Sequence, residues 1–235
     1  MFLFLKLYLA HLLADFVFQF DFIYRMKFKG MWGHLIHILI HAAAMLILAL
    51  PFLRYPSVWL FILAVCVIHY FQDVLKYRLQ AKYPKYQFSF LVSDQIFHIL
   101  FLGCVFFLPV SQIVPDLSAH PIAAELYGNN RWTLYAIAFI LATFGGSYSF
   151  YNFRKNYVPD SRPNHFITPF EIAHGILERT VITGSFLFLA PLQAVLIAPW
   201  IGLIRLADIR LRSGLDFILS FIYAAAIGLI FRIWI

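Results

Sequence analysis

Charge is the scarcest property of this 235-residue chain. Asp, Glu, Lys and Arg make up 12% of it, against 63% hydrophobic residues, and its mean hydropathy is +0.81. Soluble domains carry about a quarter charged residues, so that class is excluded and an integral membrane protein is expected. Cysteine is nearly missing: Cys66 and Cys104 both fall in apolar runs, where they read as two small apolar thiols, and no disulfide framework is implied. Acidic residues are fewer than basic ones, 11 against 18, for a net charge of +7. In a chain this apolar that excess orients helices in a bilayer and suits anionic headgroups, so lipids are the expected partners and nucleic acid is not. Self-association is left open.

What the chain has in quantity is long apolar runs. A spanning helix needs ~20 mostly apolar residues, and eight stretches meet that need: Phe2–Phe20, Trp32–Phe52, Ser57–Tyr77, Phe88–Val110, Trp132–Asn152, Thr168–Ala190, Leu192–Ile209 and Gly214–Ile235. The expected fold is therefore all-α, a polytopic bundle of about eight transmembrane helices. The seventh is interrupted by Pro199 after Pro191 and reads as short or re-entrant. The first is too long, and too polar at His11 and Asp15, for a cleaved leader.

Thirteen of the 18 basic residues, among them Arg25, Lys27, Lys29, Arg78, Lys82, Lys85, Arg154, Arg162, Arg210 and Arg212, end or follow the odd-numbered helices. The positive-inside bias then puts those loops in the cytoplasm and both termini outside, as in a bacterial inner-membrane protein. Residues 111–131, with Pro115, Pro121, Gly128 and the Asn129–Asn130 pair, form an external loop with a surface helix. That loop separates a front half, 1–110, rich in histidine, from a back half, 132–235, with the thinner polar set Glu171, His174, Glu178, Arg179, Arg205, Asp208 and Asp216.

The front half repeats itself. His11 and Asp15 recur 58 residues later as His69 and Asp73, and His37 and His41 recur 57 residues later as Asp94 and His98. Two copies of a helical hairpin are expected. Counted by helical rise from the cytoplasmic boundary, Asp15, His37, Asp73 and Asp94 lie roughly 6–9 Å deep, and His11, His41, His69 and His98 one turn deeper. On the same count His174 adds to the shallow tier and Glu178 to the deep one. Ionisable groups inside a span cost ~2.5–3.5 kcal/mol each and usually face the bundle interior at functional positions.

A divalent metal satisfies such a cluster: imidazole and carboxylate suit zinc, iron or manganese, and an i, i+4 pair lets one helix supply two ligands. The candidate ligands are His11, Asp15, His37, His41, His69, Asp73, Asp94 and His98, more than one tetrahedral zinc needs. Either two ions bind, or one is held by the deep histidines while the aspartates orient rings or activate water. Asp73, Asp94 and Glu178 are the candidate catalytic acids or bases. Gln19, Lys76, Arg78 and Gln95 at the rim, with His174 and Arg179, are the candidate substrate contacts. His34, at the start of its helix, reads as peripheral.

The motif H-L-L-x-D-F-x-x-Q at His11–Gln19, the histidine-rich second helix, H-x-x-x-D-x-x-K at His69–Lys76, D-Q-x-x-H at Asp94–His98 and G-I-L-E-R at Gly175–Arg179 are similar to a bacterial family of integral membrane proteins known as domain of unknown function 3307. The resemblance implies a membrane protein and brings no activity with it. On the residues alone, the leading expectation is a metal-dependent hydrolase acting on a lipid or other amphiphile from the cytoplasmic leaflet. A di-iron oxidase or desaturase is weaker, since the adjacent His–His pairs of such sites are missing. A metal- or proton-coupled transporter needs polar groups leading to both faces, whereas the outer halves of the front helices, such as Met45–Leu50 and Val58–Val65, are almost wholly apolar. A metal- or lipid-sensing protein would carry the same residues as an enzyme.

Overall fold

Backbone N–H and C=O groups in hydrocarbon have only one another to bond with, which leaves the helix as the spanning form for runs of this length. The computed structural model describes residues 1–117, 121–157, 169–207 and 214–235, and every regular element among them is helical. Among the described residues, five helical stretches are long and apolar enough to cross a membrane: Met31–Leu48, Pro56–Lys82, Pro84–Phe107, Asn130–Arg154 and Phe217–Trp234. The helical stretches Phe2–Val17, from the first run, and Asp21–Lys29, just after it, are bent by 84° and would make a sixth if they act as one span. Of the eight expected spans, two remain. The sixth, at Pro169–Phe188, carries Glu171, Glu178 and Arg179, and the seventh is divided into Pro191–Val195 and Ala198–Ala207 by the prolines. Arg162, Asp208, Arg210 and Arg212 lie outside the described residues, as do the side chains of Lys155, Arg205 and Asp216.

The chain divides into two compact units, Met1–Thr133 and Leu134–Ile235. The first unit holds α1 (Phe2–Leu12), α2 (Asp21–Lys29), α3 (Met31–Leu48), α4 (Pro56–Lys82), α5 (Gln87–Gly103) and α6 (Pro121–Gly128), and the start of α7 (Asn130–Ile140). Proline at the first position of α4 loses no helical hydrogen bond, because that N–H has no partner within the helix. Each long helix buries its polar stripe and shows lipid its apolar one: α4 buries His69, Asp73 and Tyr77 and exposes Leu60, Leu63, Val67, Phe71 and Leu75. A soluble helix has the opposite arrangement.

The first span departs from a straight helix. Leu13–Val17 is a π-helical turn, closed by an i→i+5 bond from Phe18 N–H to the Leu13 carbonyl at 2.8 Å. The chain then turns into α2, which packs against α3. Gly30 joins α2 to α3 with φ +149°, a backbone angle that disfavours a side chain. At Gly33 the helices nearly touch, and a Cβ there would sit 2.3 Å from the Met26 carbonyl carbon and 2.4 Å from the Lys27 nitrogen.

One end of this unit is dry. Leu3, Leu7, Met45, Phe52, Val58, Ile62, Leu102 and Val105 are buried together in an apolar core with Ala10, Ala44, Ala49, Val65 and Cys66. Lys6, buried in α1, donates to the Leu126 carbonyl and to Thr133 Oγ1, both at 2.6 Å, which anchors α1 to the segment after the 111–120 stretch.

The second unit continues α7 through a π-helical turn at Leu141–Gly145 into α8 (Gly146–Tyr157), followed by α9 (Pro169–Phe188), α10 (Pro191–Val195), α11 (Ala198–Ala207) and α12 (Gly214–Trp234). Helices α9 and α12 approach closely at Gly228, where a Cβ would lie 2.7 Å from the Phe186 Cβ.

Candidate metal centre

The i, i+4 spacing of His37 and His41 puts both imidazoles on the inward face of α3, and α4 brings His69 to meet them. The π turn supplies the fourth group, Asp15. A π turn carries one residue more than an α turn and re-aims the side chains around it, a device frequent at functional sites. Asp15 Oδ1 then lies 3.1 Å from His37 Nε2, 3.0 Å from His41 Nε2 and 3.8 Å from His69 Nε2. His37 Nε2 is 3.2 Å from His41 Nε2 and 3.3 Å from His69 Nε2.

Three imidazole nitrogens and a carboxylate oxygen thus face one point. An ion held tetrahedrally by bonds of ~2.0–2.1 Å keeps its donors ~3.3 Å apart, and the five distances above scatter about that value. The three histidines are at most 3% exposed. With protons alone, three mutually facing Nε2 atoms have a single nearby acceptor oxygen, and a neutral ring can carry only one N–H. A cation satisfies all four donors together.

Second contacts orient these donors. Gln95 Nε2 donates to Asp15 Oδ2 at 3.0 Å, and His11 Nε2 lies 3.4 Å from the same oxygen. His69 turns its other nitrogen, Nδ1, to His98 Nε2 at 2.5 Å, and His98 Nδ1 is 3.8 Å from Asp94 Oδ2. His11, His69 and His98, and likewise Asp15, Asp94 and His98, can each bring donor atoms within 4.8 Å of one another. Seven of the eight expected ligands therefore belong to overlapping groups around one core.

The eighth, Asp73, is placed elsewhere. Although it aligns with Asp15 in the repeat, it joins none of these donor groups. Its partners are Lys27 Nζ at 2.9 Å, Lys76 Nζ at 3.4 Å and His34 Nδ1 at 2.8 Å. Lys76 also donates to Asp94 Oδ2 at 2.7 Å, and Lys27 to Gln19 Oε1 at 2.6 Å. The two lysines thus balance Asp73 and Asp94. Among the described residues no lysine or arginine comes within ion-pair distance of Asp15, whose direct contacts are imidazoles and an amide.

Of the expected substrate contacts, Gln19 and Lys76 belong to this network, Gln95 holds Asp15, and Arg78 is exposed at the end of α4. His174, Glu178 and Arg179 lie in the second unit. There His174 Nδ1 is 3.9 Å from Glu178 Oε2. Arg179 is buried, bonding to Ser147 and, at 3.1 Å, to the Thr143 carbonyl, above the Phe150 ring. Gly146 and Gly175 make room for it, since a Cβ on either would lie 2.9 or 3.1 Å from its guanidinium.

Two residues take part that sequence reasoning set aside. Lys27 counted only as a loop charge and His34 as peripheral, yet both are buried on Asp73. For His34 the signal was its place in HLIHILIH, one turn before His37 on the same face. For Lys27 it was Ile23, four residues earlier, which marks the buried stripe of α2.

Residues 3–120 match the model of a family described as "Protein of unknown function (DUF3307)". No curated protein and no solved structure matches the chain.

Proposed function

The chain belongs to the DUF3307 family, whose description assigns no activity, and we propose from the site itself that it is an integral membrane metalloenzyme, a metal-dependent hydrolase of a lipid or other amphiphile. The observation that carries the metal reading is the convergence of Asp15 Oδ1 with the Nε2 atoms of His37, His41 and His69 at tetrahedral spacing. The donor set of nitrogen and oxygen without sulfur suits zinc, and also iron or manganese. One ion is the primary expectation. If His69 Nε2 holds it, the proton of that ring sits on Nδ1 and is donated to His98 Nε2, which fixes the His98 proton on Nδ1, toward Asp94.

The enzymatic part of the reading rests on the groups around the ion. A structural zinc needs only its ligands, whereas this one is ringed by Asp94, Lys76, Gln95 and His11. The ion would polarise the scissile group and activate water, with Asp94, held by Lys76, as the proton acceptor. The apolar core built from Leu3, Leu7, Met45, Phe52 and Val58 closes one end of the unit, which favours a site served from the other end over alternating access. By the distribution of basic residues that open end is cytoplasmic.

Elemental analysis of the purified full-length protein tests the metal. About one divalent ion per chain is expected, lost in His69→Ala and retained in Asp94→Ala, with Asp94→Ala abolishing turnover of a fluorogenic ester or phosphodiester lipid. Metal far below one per chain and indifferent to His69→Ala would sink the reading. Stoichiometric metal without hydrolysis across such a panel would leave the metal and refute the hydrolase.

A further inference from the structure

The bend that follows the π turn leaves α2 lying across the direction of α1, 84° away from it. If α1 stands in the bilayer, α2 runs along the surface. Its inward side is accounted for: Ile23 and Lys27 are buried, Lys27 reaches Asp73, and Tyr24 and Phe28 meet the Tyr77 ring at 5.9 and 4.8 Å. Those contacts fix α2 beside the last turns of α4.

Its outward side and immediate flanks combine two chemistries. Phe20, Phe22, Met31 and Trp32 are 62–74% exposed, and Phe28, whose ring meets Tyr77 on one side, leaves 55% of its surface open on the other. Among them stand the exposed cations Arg25 and Lys29. The neighbouring end of α4 and its turn into α5 add Arg78, Lys82 and Lys85, with Tyr83 and Tyr86 exposed beside them. Asp21, paired with Arg25 at 2.8 Å, is the one exposed carboxylate in this group. Five cations and one anion interleaved with large aromatic side chains match neither a hydrocarbon-facing surface nor a water-facing one. They match the headgroup layer, where aromatic rings and long basic side chains both settle.

We propose that α2 is an in-plane anchor seated on the anionic phospholipid headgroups of one leaflet. Arg25, Lys29, Arg78, Lys82 and Lys85 take the phosphates, and the aromatic side chains of α2 and its flanks enter the acyl boundary. The charge excess selects anionic over zwitterionic lipid, each cation near such a surface being favoured about fivefold. The proposal stands apart from the metal reading, since none of the five cations contacts the imidazole cluster.

Native mass spectrometry of the full-length protein released from vesicles of equal parts phosphatidylcholine and phosphatidylglycerol tests the selection. The wild type should retain phosphatidylglycerol preferentially. The variant Arg25→Gln/Lys29→Gln/Lys82→Gln/Lys85→Gln should lose that preference by about fivefold per charge removed, with helicity and thermal midpoint in detergent as its folding control. Equal retention of both lipids by the wild type, or an unchanged preference in the variant, overturns the proposal. Spin labels at Phe22→Cys and Phe28→Cys, in a Cys66→Ser/Cys104→Ser background in the same vesicles, test the placement independently of charge. Both labels should report greater access to oxygen than to a water-soluble nickel chelate. Free access to the chelate would place α2 in water, and protection from both reagents would place a protein partner over it; either result overturns the anchor.

Discussion

Substitutions around the imidazole cluster should weaken metal binding in a fixed order: His41→Ala most, Gln95→Leu next, Asp73→Asn least. Tetrahedral protein sites hold zinc by roughly 10–16 kcal/mol at neutral pH, so losing one donor of four costs on the order of 3 kcal/mol, or ~10²-fold in affinity. His41 Nε2 stands 3.0 Å from Asp15 Oδ1 and 3.2 Å from His37 Nε2, so its loss removes one donor and leaves the other three in place. Gln95 donates to Asp15 Oδ2 at 3.0 Å, and outer contacts of that kind are worth about 10- to 100-fold. Asp73 faces Lys27, Lys76 and His34, so its neutralisation should change affinity by less than about tenfold. The assay is competition for zinc against a chromophoric chelator, on full-length protein in detergent, with helicity followed in parallel. An Asp73→Asn effect as large as that of His41→Ala would refute the placement of the centre. So would a His41→Ala protein that binds as the wild type does.

Two further outcomes follow from the packing of α2. Gly33→Ala places a methyl group 2.3–2.6 Å from the Met26 and Lys27 backbone, so α2 must move by about an ångström, as overpacked sites do at a cost of ~1–3 kcal/mol; a lower thermal midpoint in detergent should report this, and an unchanged midpoint would contradict the close approach. Lys27→Met leaves Asp73 buried with one lysine and should destabilise by about 3 kcal/mol, the low end for a broken buried pair because Lys76 and His34 remain. In the double variant Lys27→Met/Asp73→Asn much of that loss should return, and a strictly additive pair in chemical denaturation would count against the contact.

Much of the centre could be read from residue order because helix periodicity is a strong constraint inside a membrane. The i, i+4 pairs at His11/Asp15, His37/His41 and Asp94/His98 announced inward faces, and depth counting put the pairs at matching depths in two tiers one turn apart; the structure groups their donor atoms. The division into tiers did not carry over in the same way. Asp15 and His37, from the shallow tier, share one point with His41 and His69 from the deep tier. For Asp15 the cause is local: a π turn alters the phase of α1 by about one residue, and nothing in LADFV announces it by composition. The repeat misled for a related reason. Asp15 and Asp73 occupy equivalent positions, yet α2, with its buried Lys27, packs only over the second of them. A lysine in a basic loop and a lysine beneath a helix look the same until the 84° bend is known.

The π turn at Leu13–Val17 also makes the centre depend on chain length as well as on side chains. Exchanging Ala14 for another small residue would leave the count of residues between His11 and the bend intact. Removing it would restore an ordinary α turn, rotate the preceding helix by about 100° and draw it along its axis by ~1.5 Å. His11 would swing away from His98, while His37, His41 and His69, on other helices, stayed where they are. Among sequences of this kind, insertions and deletions between the first histidine and α2 should therefore be rarer than substitutions there, because a spacing cannot be changed by halves.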